Sequence, residues 1–124
     1  ATLLHRVLPP FTVNNAALVA GNAALDDDLF IQKTIDNNTQ GILQIKEGLH
    51  QLGLAQLDTA ANFIMFDCGA DAMPIYQALL LHGVIVRPLH PYGLNRYLRV
   101  TIGTPQQNNF FLEHLTHLLD TKKE

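Results

Sequence analysis

The chain has 124 residues, 48% hydrophobic and only 15% charged, with a formal net charge of -3. That length supports one domain able to bury roughly two-thirds of its unfolded surface, and so apolar a composition leaves part of the surface to meet a partner. The acidic balance, with no dense run of lysine and arginine, excludes nucleic acid or an acidic membrane face as the main ligand, and no stretch nears the roughly 20 unbroken apolar residues of a membrane span.

The first residues lack the charged and apolar regions of a secretory signal, so a cytoplasmic location is expected. Cys68 is the only cysteine; it forms no internal disulfide and reads as a small, buried apolar residue. The sequence opens at Ala1 and closes on Lys122, Lys123 and Glu124. That suits a processed or truncated piece with a solvated tail and a segment missing upstream.

Residues 1–13 contain Pro9 and Pro10, and consecutive prolines force an extended path, so this stretch reads as a connector. Asn14 or Asn15 then caps a helix whose Ala16, Ala17, Ala20, Ala23 and Ala24 are small enough for another element to approach closely. Asp26, Asp27 and Asp28 interrupt it and sit at the positive end of a second, longer helix. There Ile31, Ile35, Ile42, Ile45, Leu49 and Leu52 recur at helical spacing, with Lys33, Asp36, Asn37, Lys46 and Glu47 mostly between them. Gly53 stands where a terminating glycine belongs. Gly41 and Gly48 each cost about 1 kcal/mol of helix propensity relative to alanine, so packing must hold this helix.

Beyond Leu54 the period changes. Asn62, Phe63, Ile64, Met65 and Phe66 read as a mostly buried strand. Asp71 is expected to cap a helix with Pro74 in its first turn and Gly83 at its end. Val84, Ile85, Val86 and Arg87 read as a second strand halted by Pro88, residues 88–95 as a loop, and residues 97–102 as a third strand. Thr104, Pro105 and Gln107 spell a capping box for a last helix that presents Phe111, Leu115, Leu118 and Leu119. The fold class predicted is α/β, an α+β small domain. It has a β-α-β-β-α sheet of about three strands with helices on one face, preceded by two helices.

In the third strand the period of two sends Leu98, Val100 and Ile102 to one face and Tyr97, Arg99 and Thr101 to the other. A guanidinium on the open face of a small sheet must meet water, a carboxylate or a ligand. The preceding strand ends at Arg87, and the two strands are close enough in sequence to pair. Two arginines brought together repel, and a carboxylate or phosphate between them relieves that while accepting paired hydrogen bonds. The alternative is that each is a solvated or salt-bridged edge residue. Tyr92, between them, is either packing or a ligand-facing hydroxyl. Of the six histidines, His114 and His117 lie three apart on one helix without an evident third ligand, and read as surface residues rather than a metal site. Asp67 and Asp71 suit turn and capping roles better than a catalytic dyad. No glycine-rich phosphate loop or nucleophile elbow is present.

The run Gly83, Val84, Ile85, Val86, Arg87, Pro88, then Tyr92 and Gly93, then Leu98, Arg99, Val100, Thr101, Ile102, Gly103, Thr104, with Asn62 and Phe63 upstream and Pro10, Phe11, Thr12, Val13, Asn14 near the start, resembles the carboxyl-terminal third of histidinol-phosphate aminotransferases. These are fold-type I enzymes that use pyridoxal 5'-phosphate. The resemblance covers essentially the whole chain. It implies a homodimer with a large domain, whose lysine forms a Schiff base with the cofactor, and a small domain that closes over the substrate. Residues 1–24 would be the tail of the large domain and the connector, and residues 25–124 the small domain. Arg99 matches the arginine that grips the substrate anion and Arg87 a second one at its phosphate end, for a phosphorylated or carboxylate small-molecule substrate.

The implied reaction is L-histidinol phosphate plus 2-oxoglutarate giving imidazole-acetol phosphate and L-glutamate, a step of histidine biosynthesis. The missing amino-terminal domain would hold the cofactor, since neither Lys33 nor Lys46 matches the Schiff-base position. No catalytic, cofactor-binding or metal-binding residue is therefore expected in this chain, and the fragment alone is expected to be inactive. Alternatives are another aminotransferase of the same fold, acting on aromatic or dicarboxylic amino acids, and a free-standing module that binds a small anion or pairs with itself.

Overall fold

The structure is a computed structural model and describes residues 13–120. The proline connector, the first residues of the family motif at positions 10–12, and the charged tail at 122–124 lie outside the described residues. The described chain divides between Thr34 and Ile35 into two compact units.

In the first unit, helix α1 (Asn15–Leu25) is capped by Asn14, whose side-chain oxygen accepts the Ala17 N–H at 2.8 Å. Asp27 does the same for helix α2 (Asp28–Gln51), accepting the Phe30 N–H at 3.0 Å. The acidic run thus serves as a cap and first turn, where orphan N–H groups and the helix dipole favour negative charge. No residue of α1 is buried, and Leu18, Val19, Leu25, Leu29 and Phe30 are exposed.

The second unit holds the core. Ile45 and Leu49 of α2 are fully buried, Ile42 and Leu52 pack against the core's edge, and Ile35 of the same apolar stripe is exposed. The helix stops as expected. Gly53 takes a left-handed φ of 71°, its N–H reaches the His50 carbonyl, and the Leu54 N–H reaches the Leu49 carbonyl, each at 2.9 Å. Strand β1 (Phe63–Asp67) follows, then helix α3 (Met73–Leu81), strand β2 (Arg87–Leu89), a single 3₁₀ turn (His90–Tyr92), strand β3 (Leu94–Thr101) and helix α4 (Pro105–Asp120). The sheet is antiparallel in the order β1-β3-β2. Ile64, Phe66, Leu98 and Val100 face a layer formed by Ile45 and Leu49, Ile75 and Leu79, and Phe111 and Leu115 from the three helices. Phe66 and Phe111 meet ring to ring at 6.0 Å. This is the α/β plan read from the sequence, with helices on one face of a three-stranded sheet.

Two boundaries differ. The second strand is Arg87–Leu89 and not residues 84–87. Val84 and Val86 are buried and Ile85 exposed, so the alternation reported side-chain faces correctly, but it carries no information about which residues join the ladder. Pro88 does not halt this strand, because β2 is an edge strand and the missing N–H costs no inner ladder bond. The third strand starts earlier, at Leu94. The connection between the strands shrinks to the 3₁₀ turn and Gly93, which takes the left-handed φ of 75° that reverses the chain.

Gly41 and Gly48 explain how α2 overcomes its poor propensity. A Cβ on Gly41 would strike the Cγ2 of Ile102 and lie 3.0 Å from Asn108 Nδ2; one on Gly48 would lie 2.5 Å from a Leu112 methyl. The glycines let α2 lie directly against the start of α4 and the end of β3. Because Ile102 is stiff at χ1, Gly41→Ala is expected to lose about 1–2 kcal/mol, overpacking outweighing the helix-propensity gain. Gly21→Ala, with open space around it, is expected to gain up to about 1 kcal/mol of local helix stability. Denaturant titration checks the first and helix content by circular dichroism the second. The apolar residues exposed on the first unit predict that the isolated chain self-associates; sedimentation giving a clean monomer that binds no hydrophobic dye would contradict this.

Candidate anion site

The open face of the sheet is set by β3. With Leu98 and Val100 in the core, Arg99 is carried to the other side, half-buried. Its Cα partner on β1 is Met65, and its partner on β2 is Arg87. The two arginines proposed from spacing are thus directly opposite each other on adjacent strands, an arrangement in which like charges destabilise. Among the described residues neither pairs with a carboxylate.

Each guanidinium meets an aromatic ring instead. Arg99 Cζ lies 4.6 Å from the centroid of Phe63, and Arg87 Cζ lies 5.7 Å from that of Tyr92. Arg87 also donates from Nη2 to the Tyr92 hydroxyl at 2.9 Å. Tyr92, which is exposed, both packs on Arg87 and accepts its hydrogen bond. Arg99 Nε is buried with no hydrogen-bond partner. Phe63 is reached diagonally: it opposes Thr101, two residues along from Arg99 on the same face.

Elsewhere among the unit's described residues the lysine and the remaining arginine each meet a carboxylate. Arg96 makes a bidentate pair with Asp67, Nε to Oδ1 at 3.1 Å and Nη2 to Oδ2 at 2.9 Å. Asp67 also accepts the Gly69 N–H, and Asp71 accepts the Met73 N–H and pairs with His90 Nε2 at 3.0 Å. These are turn and capping contacts, although Ala72 and not Asp71 is the helix's capping residue. Lys46 pairs with Asp58 at 2.7 Å; that hydrogen bond and the ammonium charge hold the Asp58 carboxyl below its ordinary value. His114 Nδ1 lies 2.8 Å from the Phe110 carbonyl, and its ring stacks on Phe110. Among the described residues no three metal-ligating side chains gather. A cleft of about 540 Å³ between Gly83, Val86, Val100, Gln107 and Phe110 carries no charged side chain, and a wider one of about 650 Å³ between α2 and α4 is lined by the carboxylates Glu113 and Asp120. The open face with its two arginines is therefore the candidate anion site.

The end of the arginine strand is held by a group not foreseen. Asn108, 2% exposed, accepts the Gly103 N–H at 2.9 Å and donates to Gln44 Oε1 at 3.0 Å. Asn37 adds a bond to the Gly103 carbonyl at 3.0 Å. The signal was present: Asn108, Phe111 and Leu115 fall on one helical stripe, so an asparagine occupies a core position where it must find partners. The capping box forms as read, with the Thr104 N–H reaching Gln107 Oε1 at 2.9 Å and the Gln107 N–H reaching Thr104 Oγ1 at 3.4 Å.

Residues 1–115 match the family described as aminotransferase class I and II. The chain belongs to that family. It is 49% identical over 113 residues to a Legionella pneumophila protein named histidinol-phosphate aminotransferase 2, a match covering 91% of this chain and 31% of that protein. A Pseudomonas aeruginosa protein of the same name is 46% identical over 119 residues, 96% of this chain and 32% of the relative. The chain thus spans about a third of the length of these curated relatives. Its fold matches the solved structure of the histidinol-phosphate aminotransferase from Sinorhizobium meliloti in complex with pyridoxal-5'-phosphate. The TM-score is 0.80 at 24% identity, over 98% of this chain and 34% of that one.

Within this aminotransferase segment, Asn108→Ala strands the part-buried Gly103 N–H and opens a small void, which is expected to cost about 2–3 kcal/mol. Chemical denaturation measures it; a loss below about 0.5 kcal/mol would remove Asn108 from its role at the strand's end.

Proposed function

We propose that this chain supplies the substrate-anion contacts of a pyridoxal-phosphate aminotransferase that converts L-histidinol phosphate and 2-oxoglutarate to imidazole-acetol phosphate and L-glutamate. The observation that carries this reading is the opposition of Arg87 and Arg99 with no carboxylate between them. Two fixed positive charges favour a doubly charged phosphate over a single carboxylate. Planar guanidinium groups also offer the paired donors that phosphate oxygens accept.

The cofactor would supply stabilisation of carbanion character at the reacting carbon. The described residues offer no cradle for it. Lys46 is paired with Asp58, Lys33 belongs to the first unit, and the open face carries arginines and Asp67 but no lysine. In this reading the residues that hold the cofactor belong to the part of a full-length protein that lies outside this chain. The work of this chain's own residues is positional. Arg99 and Arg87 bind the phosphate end, and this fixes where the amine end of the substrate lies. Tyr92, accepting from Arg87, keeps its own hydroxyl hydrogen available to the same anion.

In this reading residues 25–124 act as the small domain of a cytoplasmic homodimer, with residues 1–24 leading from the large one. The match to relatives named for this reaction supports it. In a full-length protein carrying this segment, Arg99→Ala is expected to raise KM for L-histidinol phosphate about 10- to 100-fold, the loss of one or two charge-assisted hydrogen bonds. Cofactor affinity, followed by its visible absorbance, should change less than about threefold. Equal losses of both would take Arg99 out of the substrate site.

A further inference from the structure

We infer that Phe63 is a positioning residue for Arg99, its ring holding the guanidinium face so that the in-plane N–H donors stay free for the substrate anion; this rests on the reading of Arg99 given above. Among the described residues, the contact with Phe63 at 4.6 Å is the only partner of the Arg99 guanidinium, and Nε is buried without a hydrogen bond. An arginine could be fixed on this face in two ways. A carboxylate would accept its donors and cancel its charge, as Asp67 does for Arg96. An aromatic face attracts the cation through the ring quadrupole and accepts no N–H, so charge and donors both persist.

Register makes the contact possible. Phe63 and Arg99 share the open face of adjacent strands on a diagonal, within reach of long and aromatic side chains. The ring therefore draws Arg99 along the sheet toward Thr101, on the β1 side of its own strand, while Arg87 stands on the β2 side. Holding Arg99 on that side also offsets part of the repulsion from Arg87, a role that an aliphatic residue of equal volume would not fill.

The test uses a full-length holoenzyme carrying this segment, with L-histidinol phosphate and unphosphorylated L-histidinol as paired substrates. Phe63→Leu is expected to raise KM for the phosphorylated amine about three- to tenfold, the range of a partly buried cation–π contact. Its kcat should stay within about twofold, and kcat/KM for L-histidinol should hold. Phe63→Tyr should restore KM to within about twofold. In an Arg99→Ala background, Phe63→Leu should have no further effect on KM. An equal loss with both substrates, a Tyr variant as impaired as Leu, or a Leu effect that persists without Arg99 would each overturn the inference and leave Phe63 a packing residue. Should Phe63→Leu lower Tm, Phe63→Met gives the same comparison and is judged by the same outcomes. Failure of the underlying reading has a different signature: Arg99→Ala alone would then impair both substrates equally.

Discussion

The burial of Leu98 and Val100 in the middle strand is the constraint from which the rest of this domain follows. β3 has a neighbour on each side, so its backbone is held along both edges, and its inward side chains meet residues from all three helices. A slip of one residue would put Arg99 into that layer and turn Leu98 and Val100 out to water. Fully burying each of those side chains is worth about 1.5–3 kcal/mol, and a buried unpaired guanidinium costs several more. The position of Arg99 on the open face is therefore a by-product of core formation. No separate device is needed to aim it.

Among the described residues of this unit, every lysine and arginine outside this point has a carboxylate partner. Lys46 has Asp58, Arg96 has Asp67, and His90 has Asp71. Arg87 and Arg99, opposite each other, have aromatic rings. Surface ion pairs contribute little to stability, so the absence of a carboxylate at the arginine pair costs the fold little while leaving two positive charges uncancelled. A pair of guanidinium groups held by π faces is primed for an anion in a way that a salt-bridged pair is not.

Much of this was legible from sequence because it depended on local chemistry. Thr104 and Gln107 make the reciprocal cap that their spacing implies, Gly53 and Gly83 take the left-handed conformation that ends a helix, and period two assigns Arg99 its face. What could not be read depended on which residues of different strands face one another. That Phe63 lies diagonal to Arg99, or that Arg87 is opposite it, follows from a register that no local pattern encodes. The same gap explains the shifted second strand, where residues 84–86 keep a strand's alternation without a strand's pairing. Asn108 falls between the two cases. Its place on an apolar stripe was visible, but its partners Gly103 and Gln44 come from elements distant in sequence.

The two arginines are restrained to different degrees, and the difference follows from topology. Arg99 sits on the inner strand, two residues before a terminus fixed by Asn108, Asn37 and the close approach of Gly41. Arg87 opens a three-residue edge strand whose register shifts between Pro88 and Leu89, and its ring partner Tyr92 lies on an exposed turn. Edge strands and turns sit at the low end of local stability. In the proposed site one contact would be rigid and define where an anion goes, and a second, with its tyrosine, would adjust around it. Since a pre-organised donor loses less freedom on binding than one that must be ordered, the rigid arginine should contribute more to affinity, and the adjustable one more to the choice among anions of different size.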